Sequence, residues 1–376
     1  MAKIINIKKF IDVTTSVSPT PLGRRDFRNI LFVQMANTGD PTVITSYTDL
    51  ESLIAAEGSN VASAKMATSF FGGGFNGVKP TSTVYVAKIG AGDQDEFTTN
   101  FQALLGGSDY YMIALDNALS SFAAVAASAN EAASIPHYLF LLDTSADAIN
   151  LSNEEDTNSI SAYLFNNKLT RSAAFWTDPD KADKYANVSA ASYFGTCRIT
   201  TSSPLGNLAY KVVSGVEAVA FDGALVDANA AWDNLASKFS NSYITLGETG
   251  RTCFQSGTCG SGDNIEEYIA ADFLNYTITY NVYDLLTSVH KLPMNMDGAK
   301  RLYTVISAAF DRLNAAGVIG GGVSQDGESF GASGYKISIP LPTGINKATG
   351  LWDSVTCSAL LTGSCKKVVI GNSLKK

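Results

Sequence analysis

Three aspartates stand where the sequence could assemble a metal site. Asp116, Asp143 and Asp178 each follow a short apolar run that is typical of a buried strand. The carboxyl ends of parallel strands meet at one edge of a sheet, and α/β proteins bind ligands there. Carboxylates gathered at that edge would hold Mg²⁺ and support phosphoryl transfer. One hypothesis is therefore a magnesium-dependent α/β enzyme that uses these three residues.

The same aspartates also suit a structural role. An aspartate after a strand commonly caps the next helix or begins a turn. A phosphotransferase needs a Lys or Arg on the phosphate, and no basic residue follows Asp143 closely. The two histidines, His137 and His290, come with no G-x-S-x-G motif around a nucleophilic serine. The sequence favours the structural role, and we predict no catalytic residue, no cofactor and no metal site.

The cysteines indicate a protein with reduced thiols. Five is an odd number, and the spacings C-x5-C and C-x7-C are not those of zinc sites. Cytoplasmic synthesis favours free thiols. An alternative stays open, in which an oxidising medium later closes two disulfides, within or between subunits. The residues concerned are Cys253 with Cys259, and Cys357 with Cys365.

The segment that carries the aspartates alternates strands with helices. This rhythm predicts a small parallel sheet covered by helices, which we interpret as an α/β domain inserted over residues 93–196. Its apolar runs are Tyr111–Leu115, Tyr138–Leu142 and Ala173–Trp176. Its helical patterns are Ser120–Ala132, Glu154–Asn167 and Lys181–Phe194.

The flanking segments, residues 21–92 and 197–350, predict a discontinuous α+β body. Apolar residues between Ile265 and Tyr283 recur every three or four positions, as on one face of a helix. A second helix follows, with Asp297 as the predicted cap at its start and Gly317 at its end.

Both termini have the pattern of extended strands. Residues 1–20 keep an apolar period of two and end in a Pro-x-Pro sequence, which predicts an N-terminal arm. Residues 351–376 predict a C-terminal strand region or arm. The apolar positions of the two arms are Ile5, Ile7, Ile11, Val13, Val17, Val355, Val368, Val369 and Ile370.

Composition argues against two classes of partner. The formal net charge is -8 and the basic clusters are short, so we expect no nucleic-acid binding. We expect no membrane insertion either, because no run of about 18 apolar residues occurs. Charged residues make up 16% of the chain, against about 25% on average, which leaves neutral surface for contacts between subunits.

An ordered series of motifs resembles the contractile phage tail sheath proteins, in particular a short-sheath family once known only as a domain of unknown function. The series begins with Ile11–Pro19 and Ile30–Val33, continues with Asn241-Ser242-Tyr243 and Lys291-Leu292-Pro293, and ends with Gly334–Pro340. It covers nearly the whole chain. One departure is Asn346-Lys347-Ala348, where the family often has an Arg-containing segment.

The resemblance implies a mechanical role. Subunits would stack as six-fold rings around a tail tube, and their terminal arms would donate strands to sheets of neighbouring subunits. Contraction would drive the tube through the host envelope. The implied partners are copies of the same chain, the tail tube, the baseplate and the tail terminator. The implied location is the virion tail, after assembly in the host cytoplasm, with the inserted domain facing outward. A bacteriocin or secretion-type injection machine is the alternative.

Overall fold

The computed structural model describes residues 25–36, 42–221, 223–247 and 250–363. The predicted N-terminal arm and the last part of the C-terminal region lie outside these ranges. The predicted site residues that fall there are Ile5, Ile7, Ile11, Val13, Val17, Cys365, Val368, Val369 and Ile370.

The described strands are two to seven residues long. They are β1 (Ile30–Ala36), β2 (Val43–Tyr47), β3 (Val84–Gly90), β4 (Met112–Leu115), β5 (Tyr138–Asp143), β6 (Ser172–Trp176), β7 (Asn241–Leu246), β8 (Arg251–Phe254), β9 (Gly322–Val323), β10 (Ser329–Phe330), β11 (Tyr335–Ser338) and β12 (Thr356–Ala359).

The helices vary from one turn to more than six. They are α1 (Leu50–Glu57), α2 (Ala62–Gly72), α3 (Gln94–Leu104), α4 (Ala123–Glu131), α5 (Ala146–Asn150), α6 (Ile160–Asn166), α7 (Ala186–Thr196), α8 (Ala228–Ser237), α9 (Ile265–Ser288), α10 (Met296–Ala315) and α11 (Gly344–Thr349). Two 3₁₀ helices precede α4 and α7, at Asn117–Phe122 and Pro179–Lys184.

One sheet of eight strands organises the molecule, in the order β2-β3-β1-β4-β5-β6-β7-β8. The six inner strands pair in parallel, and the two outermost strands, β2 and β8, pair antiparallel with their neighbours. Strands β4, β5 and β6 are buried along their whole length, as parallel strands covered on both faces must be. The predicted parallel α/β sheet is confirmed.

Helices cover both faces of the sheet, and the side chains of β1 show how. Ile30 and Phe32 point into one core, while Leu31 and Val33 point into the other, because successive residues of a strand face opposite sides. The first core is closed by α2, α7, α9 and α10. The second core is closed by α3, α4 and α6.

The predicted inserted segment shares this sheet with the body. Its strands β4, β5 and β6 lie between β1 and β7, and β1 pairs directly with β4 in register Ile30↔Met112. One sheet therefore runs from residues 21–92 through residues 93–196 to residues 197–350. The domain limits themselves, and the outward orientation of residues 93–196, stay predictions.

Two helix starts differ from the sequence prediction. Residues 154–159 are not helical, because the Asp156 carboxylate accepts the N–H groups of Asn158 and Ser159 and so forms a turn. Helix α6 then begins after Ser159, whose hydroxyl accepts the N–H of Ala162. Helix α10 is capped by Asn295 and not by Asp297, which lies one residue inside the helix.

Candidate assembly surfaces

The three aspartates lie at the carboxyl ends of neighbouring parallel strands, as predicted. Each of them is hydrogen-bonded to or paired with a different residue of the protein. Asp116 accepts a hydrogen bond from the Tyr185 hydroxyl at 2.7 Å. Asp178 pairs with Lys181 Nζ at 2.8 Å. Asp143 accepts the Ser161 N–H at 3.1 Å, and burial raises the pKa of this carboxyl although hydrogen bonds from the protein oppose the rise.

These partners favour the structural role over the magnesium site. Within the described ranges, no group of three or more His, Cys, Asp or Glu side chains is arranged to hold a metal ion. The structural role differs from the predicted helix cap for two of the residues. Neither the Asp116 nor the Asp178 side chain bonds the N–H groups of the 3₁₀ helix that it precedes. Their carboxylates instead tie the ends of β4 and β6 to neighbouring segments.

The described cysteines are free thiols. Cys253 and Cys259 are buried and are not joined to each other in this structure, and Cys357 is exposed. Burial raises the pKa of Cys253 and of Cys259, which keeps both thiols protonated and slow to oxidise. Cys365 lies outside the described residues, so a disulfide between Cys357 and Cys365 stays an open alternative.

Two buried ion pairs were missed by the sequence analysis. Lys238 Nζ lies 2.8 Å from Asp156 Oδ2, with both side chains fully buried. Arg171 Nη2 lies 2.8 Å from Asp272 Oδ1, and the Tyr111 hydroxyl also donates to Asp272. The pairs join residues 82 and 101 positions apart, so no local spacing could have revealed them.

Among the residues that the structure describes, strand β2 is the last strand at one edge of the large sheet. Val43 and Ile44 are 51% and 46% exposed, although both are apolar and β-branched. The strand sequence, Val-Ile-Thr-Ser-Tyr, contains neither a charge nor a proline, the residues that commonly protect an edge from pairing. The opposite edge is different, because Phe254 of β8 exchanges backbone hydrogen bonds with Tyr210 and Lys211.

Strands β11 and β12 form a separate antiparallel pair in the C-terminal part of the chain. Gly334 positions this pair, since its φ is +73° and a Cβ there would lie 2.6 Å from the Gly320 backbone. Val355, predicted to lie on a terminal arm, is half-buried against the core in the single chain, next to β12, which pairs with β11. Its role between subunits stays a prediction.

Apolar side chains are exposed around this two-stranded sheet. Helix α11 buries none of its six residues, and its Ile345 is 78% exposed. Leu341, Leu351 and Leu361 are also exposed. Several exposed large apolar side chains within one short stretch of chain are typical of contact sites between proteins. We call Leu341, Ile345 and Leu351 the C-terminal apolar patch.

In the described part of the chain, no helix is long and apolar enough to cross a membrane.

Comparisons with known proteins found a matching family model for one segment of the chain and solved structures with the same fold. Residues 265–336, which span α9, α10 and the start of β11, match the family model of the E217 tail sheath protein gp31-like, C-terminal domain. No curated protein matches the chain.

Several solved assemblies contain chains of the same fold. The helical sheath of the anti-feeding prophage (AFP) in its contracted state aligns with a TM-score of 0.62 and 15% identity, over 99% of both chains. A chain of the AFP baseplate aligns with a TM-score of 0.61 and 14% identity, over 97% of this chain and 98% of that chain.

A third match is the sheath complex of the PVC extracellular contractile injection system in its contracted state. Its TM-score is 0.56 and its identity 10%, over 99% of this chain and 98% of that chain. Identities at this level show a shared fold. The resemblance to tail sheath proteins drawn from the sequence is thereby confirmed: residues 265–336 match the model of the gp31-like tail sheath C-terminal domain, and the described fold is that of chains in contractile sheath assemblies.

Proposed function

We propose that this chain is the sheath subunit of a contractile tail and has no enzymatic activity. The subunits polymerise as stacked six-fold rings around a tail tube, and the sheath contracts to drive the tube through the host envelope. The observation that carries the proposal is the tail sheath family match at residues 265–336, within a chain of which 99% aligns with a chain of a contractile sheath.

Terminal strands connect the subunits in this proposal. Residues 1–20 and the chain beyond residue 363 carry alternating or clustered apolar residues that suit addition to a sheet edge. Each added backbone hydrogen bond contributes about 0.5–1.5 kcal/mol net, so a short donated strand gives several kcal/mol per link. Such links persist while subunit bodies rotate between two packings, and contraction then needs no nucleotide.

The charge distribution supports contacts between the termini and the bodies of other copies. Residues 1–24 contain four Lys or Arg and one Asp, and residues 364–376 contain four Lys and no acidic residue. Residues 93–196 contain 14 acidic residues against four basic ones. Opposite charges on arms and bodies steer association, and the attraction weakens with salt.

A salt series tests this electrostatic contribution. We expect polymerisation, followed by light scattering, to slow when NaCl rises from about 0.05 M to about 0.5 M, since the Debye length then falls below about 5 Å. Replacing Lys8 and Lys9 by Gln should reduce the salt dependence. A polymerisation rate that is the same at both salt concentrations would contradict the charge argument and leave the strand argument standing.

The partners and location follow from the same proposal. The sheath encloses a tail tube, joins a baseplate at one end and ends at a tail terminator. It is assembled in the host cytoplasm and becomes part of the virion tail. Residues 93–196 face outward from the tube.

A secretion-type injection machine is the second candidate, because AFP and PVC assemblies contain chains of the same fold. The two candidates differ in what the tail is attached to. Particles that carry this chain together with a DNA-filled head support the phage tail. Particles without a head support the injection machine.

Electron microscopy of the purified protein tests the proposal as a whole. We expect hollow striated tubes at high protein concentration. A protein that stays monomeric at high concentration, in low salt and with the tube protein present, would overturn the assignment.

A further inference from the structure

Arg25 is the first described residue of the body, and it is almost completely buried, with 7% of its surface exposed. It follows directly on the 24 residues that include the predicted N-terminal arm. Arginines are seldom buried, because a buried cation is costly unless hydrogen bonds compensate it. Burial lowers the pKa of Arg25 to about 10, and the side chain is still charged at neutral pH.

The guanidinium compensates its burial by binding the chain just before two strands. Nε and Nη2 donate to the Tyr110 carbonyl at 3.1 and 2.6 Å, and Nη1 donates to the Pro136 carbonyl at 2.7 Å. Nη2 also lies 2.8 Å from His137 Nδ1, which must accept because arginine has no acceptor. Arg25 therefore ties the chain to the starts of β4 and β5.

A second set of contacts ties Arg25 to helix α9. Its backbone N–H donates to the Tyr276 hydroxyl at 2.6 Å. Its guanidinium carbon also lies 5.1 Å from the centre of the Tyr111 ring and 5.6 Å from that of Phe27. Backbone and side chain together connect this one residue to three elements that are far apart in sequence.

The contacts after Arg25 are of a different kind. Phe27 is buried, and its ring packs against the rings of Tyr111 and Phe273. The Asn29 side chain bonds the backbone just before β3 and β4. Arg28 bonds the nearby Asp26 and is partly exposed. A force pulling on the N-terminus would reach the Phe27 ring and the Asn29 bonds only after Arg25 let go.

We propose that Arg25 is the anchor through which tension on the N-terminal arm enters the subunit body. It passes that tension to β4, β5 and α9 before the tension reaches β1. This inference rests on the proposed function, since only a connected sheath puts the arm under tension. The guanidinium is needed because it makes four hydrogen bonds from three nitrogens in a fixed plane, whereas a lysine ammonium has three N–H donors on one atom.

Trypsin cleavage measures the attachment in the isolated subunit. Arg25→Lys keeps the charge and the cleavage site. We expect cleavage after residue 25, identified by mass spectrometry, to be about tenfold faster than in the wild type, since charged hydrogen bonds contribute about 1.5–3 kcal/mol each. Arg28→Lys is the matched control, and its cleavage after residue 25 should equal that of the wild type.

A milder variant keeps the test valid if Arg25→Lys does not fold. Tyr276→Phe removes only the hydroxyl that accepts the Arg25 N–H, and we expect cleavage after residue 25 to rise about threefold. Wild-type cleavage rates in both variants would overturn the anchor.

Stretching single sheaths in an optical trap tests the role under tension. Arg25→Lys sheaths should part at lower tension than wild-type sheaths, and Arg28→Lys sheaths at wild-type tension. Equal parting tensions in all three would overturn the anchor while leaving the sheath assignment intact. A wild-type protein that forms no sheath would overturn the proposed function, and the protease result would still report on the attachment.

Discussion

The ion pair between Lys238 and Asp156 illustrates how a single buried charge holds distant segments together. Lys238 Nζ also donates to the Leu151 carbonyl at 2.9 Å, so the ammonium fixes the loop between α5 and α6 from the end of α8. Removing the cation alone would leave the Asp156 carboxylate buried without its charge partner.

We expect Lys238→Met to lower the free energy of unfolding by about 3–5 kcal/mol, as breaking a buried pair typically does. The control is Lys336→Met, whose exposed pair with Glu328 should contribute less than about 1 kcal/mol. Urea unfolding of the two variants measures both values. Equal and small losses would show that Asp156 finds other donors when Lys238 is absent.

The same pair gives stability a pH dependence. Burial alone would raise the pKa of Asp156, but hydrogen bonds from Lys238 and Ser159 outweigh it and hold the pKa below its ordinary value. The folded state therefore binds this proton less readily than the unfolded state does. The stabilisation is complete above the ordinary carboxyl pKa of about 4 and is lost as the pH falls from there through the lower folded value.

Asp156→Asn tests this sign. Below about pH 4, the wild type should lose its stability advantage over the variant as the pH falls, and above about pH 5 the advantage should be constant. Urea unfolding of both proteins at a series of pH values measures the difference. The two proteins must be compared because both also contain Asp143, whose pKa is raised by burial. That carboxyl makes the folded state more stable as the pH falls, which is the opposite of the effect of Asp156.

Elements with a strong local pattern could be predicted from the sequence, and elements set by distant contacts could not. The apolar runs of β4, β5 and β6 are long enough to require burial on both faces, so their strand state and parallel pairing follow. The sequence did not reveal that β4 pairs with β1, because the order of strands depends on how the helices pack.

The candidate surfaces were predictable to a similar degree. The three aspartates were correctly placed at one sheet edge, but their partners come from residues far along the chain, such as Tyr185 for Asp116. The position of β2 at the edge of the sheet was not predicted, because the sequence of an apolar strand does not show whether it has a neighbour on one side or on both. The pairing of β12 with β11 in the single chain could not be predicted, because alternating strands have the same pattern whether they are donated or retained.

The C-terminal apolar patch gives a prediction for a single short element. Ile345→Asp should change the free energy of unfolding by less than about 0.5 kcal/mol, because the side chain is exposed on α11 and buries nothing. Sheath formation should be strongly reduced, since a carboxylate buried at a contact between subunits is costly. Sedimentation of polymers measures the effect.

Lys347→Gln, on the same helix, is the matched control for Ile345→Asp. It should polymerise as the wild type does. Normal polymers from Ile345→Asp would show that α11 stays exposed in the assembly.

At the scale of the whole molecule, the described body and the terminal arms have separate roles. The body closes two cores around one sheet. Deleting residues 1–18 should leave a subunit with wild-type circular dichroism and a cooperative unfolding transition, because the described core begins after these residues. The truncated protein should not form long sheaths, as seen by electron microscopy.

Full-length polymers from this truncation would show that the N-terminal residues do not connect subunits. A truncated protein that fails to fold would be equally informative, because the arm would then belong to its own subunit.

The unequal edges of the large sheet limit how copies of this protein can stick together. At Phe254 the β8 edge already bonds a segment of its own chain, whereas β2 offers its outer side. A second molecule that lined up its β2 against β8 would have to displace the segment that bonds Phe254. Edge-to-edge growth of one sheet from copy to copy therefore carries a cost at the β8 end.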